Sequence, residues 1–166
     1  EDRIRMNNLA ASIYMLSQGI PFMQAGEEML RSKPLANGGF DHNSYKSPDS
    51  VNSIKWNTLS DAAYMDVYSY YQGLIAMRKE YEIFRGAEDV TITFTNLSGG
   101  AMSCLFENGK GQKALVVLNP SETALTYALD GNWNLVADGT MAGIAVLAEE
   151  SGSVTVDACS AKVYVN

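Results

Sequence analysis

The stretch Gly19-Ile20-Pro21-Phe22-Met23-Gln24-Ala25-Gly26-Glu27-Glu28 decides how the rest of the chain is read. Residues 20–24 form an apolar run too short for a helix, and they lack the polar alternation of a strand with one wet face. The run leads straight into a glycine and two carboxylates. Helical patterns flank it on both sides. A covered strand between two helices is one unit of a parallel α/β sheet, and such a strand needs parallel neighbours. The 166 residues offer none, so the expectation is a piece of a larger enzyme.

Upstream, Met6, Leu9, Ala10, Ile13 and Leu16 follow the spacing of one helix face. Gly19 suits the position just past a helix end, and Pro21 prevents continuation. Downstream, the segment from Arg31 to Asn57 has no sustained period, and it holds Pro34, Gly38, Gly39 and Pro48. Loops this long are uncommon and are usually functional or disordered. Phe40, Tyr45 and Trp56 argue for order. A second helix follows, with Thr58 or Ser60 as its expected cap. Its stripe is Ala63, Val67, Tyr70, Leu74, Met77 and Tyr81, and Arg78 and Lys79 suit its C-terminal dipole. Gly73 inside this helix costs about 1 kcal/mol relative to alanine, which points to close packing against another element.

Near Arg85-Gly86 the period changes to two. Val90, Ile92 and Phe94 alternate with threonines, and Met102, Cys104 and Phe106 alternate with Ser103 and Leu105. Residues 114–118 form a continuous apolar strand. Leu125, Tyr127 and Leu129 alternate, as do Trp133, Leu135 and Ala137, and short strands are expected at 144–147, 154–156 and 162–165. Gly99-Gly100, Asn108-Gly109, Asn119-Pro120, Asp130-Gly131, Asp138-Gly139 and Ser151-Gly152 supply turns between them. About eight short strands at this spacing predict an antiparallel sandwich or barrel. The two parts divide at 1–84 and 85–166. Met102, Phe106, Tyr127 and Trp133 are expected in the sandwich core; an exposed aromatic row there would instead mark a carbohydrate-binding face.

Composition narrows the function classes. Hydrophobic content of 46% permits a core, and charged content of 19% argues against disorder. A net charge of −7 with no basic run argues against a nucleic-acid partner. No apolar run is long enough for a membrane span. Cys104 and Cys159 lie far apart and make no metal-binding pair, so they read as a disulfide or as two buried thiols, the second being commoner. No phosphate-binding or nucleophile-elbow motif occurs, and no cofactor or metal is expected.

Glu27 and Glu28 sit where a parallel strand would end, the edge that carries active sites in α/β barrels. Adjacent strand residues point to opposite faces, so at most one faces a pocket, and the other should pair with an arginine or cap backbone N–H groups. His42 is the only histidine. It reads as a proton donor, a sugar ligand or, by default, an ordinary hydrogen-bonding loop residue. Asp41-His42-Asn43-Ser44-Tyr45 has the mixture of carboxylate, amide and aromatic surface that sugar sites use.

The pattern Gly19-x-Pro21-x-x-x-x-Gly26-Glu27-Glu28 resembles the last-strand motif of the α-amylase superfamily (glycoside hydrolase family 13). Its continuation through Met29-Leu30-Arg31-Ser32-Lys33, Asp41-His42-Asn43-Ser44-Tyr45, Asp49-x-Val51-Asn52 and Lys55-Trp56 resembles the debranching branch, most of all type I pullulanases. Leu74-Ile75-Ala76-Met77-Arg78-Lys79 is similar to the final barrel helix of that family. The resemblance implies an α+β chain: the last α-β-α segment of a (β/α)₈ TIM barrel, then a C-terminal β-sandwich. It implies a parent enzyme that hydrolyses α-1,6-glucosidic bonds of pullulan, starch or glycogen branches, with its catalytic carboxylates on earlier strands. Glu28, Arg31, Asp41, His42, Asn43 and Tyr45 are carried over as substrate-binding candidates, and none as catalytic. The insert Pro34-Leu35-Ala36-Asn37-Gly38-Gly39 departs from the family pattern and puts the placement of Asp41 and His42 in doubt. The implied partners are the α-glucan and the remainder of the barrel, with self-association open; extracellular and cytoplasmic bacterial settings are both open. The competing reading is a non-catalytic sandwich that packs or binds carbohydrate. With no strand beside it, the segment 20–24 would have unpaired backbone groups and exposed apolar faces, so the helical half is expected to be rearranged, partly loose or paired with a second copy.

Overall fold

In the computed structural model, which describes residues 2–86 and 88–166, the expected strand at 20–24 does not form. A strand is defined by its neighbours, and none lies beside this segment. Ile20 is 97% exposed and Phe22 92% exposed. The carboxylates that follow lie in a 3-10 turn, Glu27–Met29, and not at a strand end.

Two helices flank this segment: α1, Asp2–Leu16, and, beyond the long loop and the short helix α2, Asp49–Asn52, the helix α3, Ala62–Glu80. Of the predicted α3 stripe, Val67, Tyr70, Leu74 and Met77 are buried, Tyr81 just past the helix is half-buried and Ala63 is exposed. Its cap is Asp61, whose carboxylate accepts from the Ala63 N–H at 2.9 Å, and not Thr58 or Ser60. The face of α1 is rotated from the predicted one. It buries Asn8, Leu9, Ala11, Ser12, Met15 and Leu16, whereas Met6, Ala10 and Ile13 are exposed. Two polar residues on the buried face, Asn8 and Ser12, have hydrogen-bond partners across the packing interface. The Ser12 hydroxyl lies 2.9 Å from the Asn8 carbonyl and 2.8 Å from the Tyr70 hydroxyl and has one proton to share between them. The Asn8 amide donates to the Gly139 carbonyl at 3.3 Å.

Six antiparallel strands form one sheet: β1 Val90–Asn96, β2 Met102–Asn108, β3 Lys113–Asn119, β4 Leu125–Ala137, β5 Ala148–Val156 and β6 Ser160–Val165, in the order β1-β2-β3-β6-β4-β5. Two predicted strands merge into β4, and no strand forms at 144–147. Asp130-Gly131 and Ser151-Gly152, expected as turns between strands, face each other inside the β4–β5 ribbon. Pairing runs Leu129 with Gly152 and then Asn132 with Ser151, so Asp130 and Gly131 bulge outward. Gly131 (φ +87°) and Gly152 (φ +68°) take the left-handed backbone that this bulge requires.

The bulge bends the ribbon and closes the core on one face. Only the second half of β4 pairs with β6, through residues 134–137. Leu129, Val154 and Val156 of the free end pack with Leu115 and Val117 of β3 and Tyr164 of β6. The opposite face of the sheet carries the helices. Met15, Leu16, Tyr70, Leu74, Met77 and Phe84 share one core with Phe106, Val116, Val136 and Val163. The architecture is α+β with a sandwich-compatible antiparallel sheet. Phe106 and Trp133 are buried as expected, and Met102 and Tyr127 are half-buried at the core margins. Among the described aromatics of the sheet only Phe94 is widely exposed, so no aromatic row lies on this face. Cys104 and Cys159 are both free, the first buried and the second half-buried.

Buried tyrosines make the fold sensitive to alkali. Burial pushes the Tyr70 hydroxyl up from its usual 10 to about 12. Tyr164, which donates to Glu150 at 2.7 Å beside the Lys162–Glu150 ion pair, is also raised, first by burial and then by that carboxylate. Tyr14 and Tyr71 are raised by burial too. A folded-state pKa above the unfolded value means that the unfolded chain loses its proton first. The stabilisation is therefore complete below about pH 10 and is lost as the pH rises through the folded values. Thermal unfolding followed by circular dichroism should show a small fall in Tm from about pH 9, where the buried Cys104 thiol, also raised by burial, begins to contribute, and a steep fall between about pH 10 and 12. A Tm that is flat to pH 12 would contradict this account.

Candidate functional site

The polar loop is an ordered knot built on Arg31. Its guanidinium donates to the Ala25 carbonyl at 3.2 Å and also to the Asn52 carbonyl. The Asn52 amide in turn donates to the carbonyls of Ser44 (2.6 Å) and Ser47 (2.9 Å). The Ser47 hydroxyl donates to the Asp41 carboxylate, which also accepts the Asn43 N–H at 2.9 Å. Lys33 donates to the Ser44 hydroxyl at 2.7 Å. Each backbone turn is thus held by a side chain from another turn, which is how a loop without a regular period stays ordered.

This knot borders an open cavity of about 420 Å³, lined among others by Glu27, Arg31, Lys33, Phe40, Asp41 and His42. Three of the sequence candidates, Arg31, Asp41 and His42, meet there. Glu28 does not. It folds back so that its carboxylate caps the Gly26 N–H at 2.9 Å, while Glu27 faces the cavity. The reason is the 3-10 turn, which rotates successive side chains by about 120° and not the 180° of a strand. Glu27 is held from both sides, by the Tyr14 hydroxyl at 3.1 Å and the Gln24 N–H at 3.0 Å. Asn43 and Tyr45 are exposed and lie outside the cavity lining, and Lys46 sits 5.3 Å above the Tyr45 ring. Lys33 and Phe40 were not among the sequence candidates. The Phe40 ring carries no polar signal, and Lys33 reads as a surface cation until the chain folds.

The wall mixes hydrogen-bond donors and acceptors. The Ser47 hydroxyl and the Asn43 N–H hold the Asp41 carboxyl below its usual range, so it stays ionised and accepts hydrogen bonds. Arg31 and Lys33 donate, and Glu27 accepts. Among the described residues, no group of three His, Cys, Asp or Glu side chains could hold a metal ion. No helix among them is long and apolar enough to cross a membrane.

No protein-family model matches the chain. It is 38% identical to a pullulanase of Bacillus subtilis (strain 168) over 77 residues, which is 46% of this chain and 10% of that protein. It is 28% identical to an isoamylase of Pseudomonas amyloderamosa over 133 residues, 78% of this chain and 15% of that protein. The structure superposes on a pullulanase from Bacillus acidopullulyticus with a TM-score of 0.85 and 31% identity, covering 99% of this chain and 20% of that one. The curated relatives are pullulanases and isoamylases, and the chain, spanning a small share of their length, matches a pullulanase-like C-terminal part.

Proposed function

We propose that the chain is the C-terminal part of an α-glucan debranching glycosidase whose whole form hydrolyses α-1,6-glucosidic bonds. Residues 1–84 are the closing segment of its (β/α)₈ barrel, in which residues 20–24 become a strand only beside the barrel strands of the parent, and residues 85–166 are the sandwich that packs against it. The observation that carries this reading is the superposition on a pullulanase along 99% of the chain at 31% identity. The apolar side chains left in the open support it. Met6, Ile13, Ile20 and Phe22 are each 47% exposed or more, which suits surfaces covered by the remainder of a barrel. Within this reading the cavity around Arg31, Asp41 and His42 is one wall of the glucan cleft, with Glu27 in the place first given to Glu28. The reactive carboxylates belong to other strands of the parent. The absence of an exposed aromatic row among the described residues favours packing over sugar binding for the sandwich.

Two measurements test the proposal. The purified chain should release no reducing ends from pullulan, and measurable release would place the catalytic groups within these residues. In a ¹⁵N-labelled sample, maltotetraose should shift the backbone amides of Arg31, Asp41 and His42 and leave those of β4 and β5 unmoved. Shifts confined to the sheet would overturn the cleft-wall assignment.

A further inference from the structure

We propose that Phe40 is a stacking platform for a glucosyl ring, carried to the lip of the cavity by the inserted tongue at residues 33–41; this rests on reading the cavity as a glucan cleft wall. The insert is where the sequence leaves the family pattern, and the structure gives it a shape. Pro34 bridges Phe40 as in a short hairpin. The Leu35 N–H donates to the Gly39 carbonyl at 2.8 Å, and the Gly38 N–H donates to the Leu35 carbonyl at 3.0 Å. The Asp41 N–H closes the base on the Lys33 carbonyl at 2.9 Å. The tongue therefore sets Phe40 beside Arg31 and Asp41 in a defined backbone geometry.

The ring itself is uncovered, with Phe40 65% exposed. It lines the cavity of about 420 Å³ and also an adjoining one of about 430 Å³, reached past Arg31 and bordered by Asn7 and Tyr64. Phe40 and Arg31 thus stand on the ridge between two concavities. A pyranose ring has an apolar face of C–H bonds and a rim of hydroxyls. An aromatic face surrounded by Glu27, Arg31, Lys33 and Asp41 complements both parts, the ring by contact and the rim by hydrogen bonds. A phenylalanine has only two side-chain torsions, so fixing it on a closed hairpin loses little entropy. The two concavities place one sugar ring on each side of the ridge, so a linear glucan would cross it at Phe40.

The test is a maltotetraose titration of the unsubstituted chain, Phe40→Ala and Phe40→Trp by ¹H–¹⁵N NMR, with a search for nuclear Overhauser contacts from the Phe40 ring to sugar protons. Phe40→Ala should keep the dispersed spectrum of the folded chain, because the side chain is exposed, and should bind about tenfold more weakly. Phe40→Trp should bind at least as tightly as the unsubstituted chain, and ring-to-sugar contacts should be present. If the unsubstituted chain shifts at Arg31 and Asp41 but Phe40→Ala binds within twofold of it and no ring contact is seen, the platform is wrong and the cleft wall stands. If the unsubstituted chain shows no binding at these residues, both are overturned.

Discussion

Arg78→Met is expected to destabilise the chain by about 1.5–3 kcal/mol, the range for losing charge-assisted hydrogen bonds. One guanidinium nitrogen of Arg78 donates to the carbonyls of Met15 (2.9 Å), Ser17 (2.8 Å) and Phe84 (2.6 Å), and the other donates to the Gly19 carbonyl. These acceptors are the open end of α1, the start of the segment that leads to the cavity, and the turn Glu82–Phe84. A helix ends with unsatisfied carbonyls and partial negative charge, and a cation there answers both. Burial lowers the pKa of Arg78, and Arg85 adds repulsion, yet an arginine stays charged at any pH the fold survives. Methionine keeps most of the side-chain bulk and removes the donors. Lysine should recover only part of the loss, because an ammonium lacks the planar fork that reaches carbonyls on both sides. Denaturant melts of the three proteins would measure the differences. Hydrogen exchange should report faster opening at residues 17–24 in Arg78→Met than at β3. An Arg78→Met midpoint equal to that of the unsubstituted chain would show these contacts to be energetically neutral.

Gly73→Ala should also destabilise, against the usual direction. In an open helix interior this substitution gains about 1 kcal/mol. Here a Cβ would lie 1.9 Å from the Ala142 carbonyl oxygen and 2.4 Å from its carbon. Both are backbone atoms, so no rotamer change relieves the clash. The loop at 138–147 must lift away from α3. That loop is held down by Tyr70, whose hydroxyl donates to the Asp138 carbonyl at 2.9 Å, and by Asn8 on Gly139. Overpacking of this kind costs about 1–3 kcal/mol, which offsets the helix-propensity gain and leaves a net loss of up to about 2 kcal/mol. The double variant Gly73→Ala/Ala142→Gly separates the causes. It should not recover stability, because removing the Ala142 side chain leaves the carbonyl in place. Full recovery would mean that the side chain was the obstacle.

Parts of this molecule can be read without folding it. The α3 stripe, the strands at Val90–Asn96 and Met102–Asn108 and the order of the polar loop follow from local period and turn chemistry. The close approach at Gly73 follows from a residue that makes no sense in an open helix. Other features depend on partners far away in sequence. The apolar residues of α1 predict a face with Met6 and Ile13, yet both are exposed, and the buried face carries Asn8, which donates to a loop carbonyl, and Ser12, which is hydrogen-bonded to a hydroxyl of another helix. Ser151-Gly152 has turn chemistry, yet it lies opposite another glycine turn inside one bent ribbon. A glycine in the left-handed region serves a bulge as well as a turn, and only pairing tells them apart.

The segment from Gly19 to Glu28 shows the same division. The sequence by itself determined that an apolar run enters a glycine-bounded carboxylate pair, that an ordered polar loop follows, and that a debranching-enzyme pattern covers both. The tertiary structure decided that the run is not a strand, that Glu27 and not Glu28 faces the cavity, and that Phe40 stands beside it. The physical reason is that period and turn propensity act between near neighbours along the chain. Strand identity, side-chain direction after a 3-10 turn and the reach of a hairpin tongue are set by what lies alongside in space.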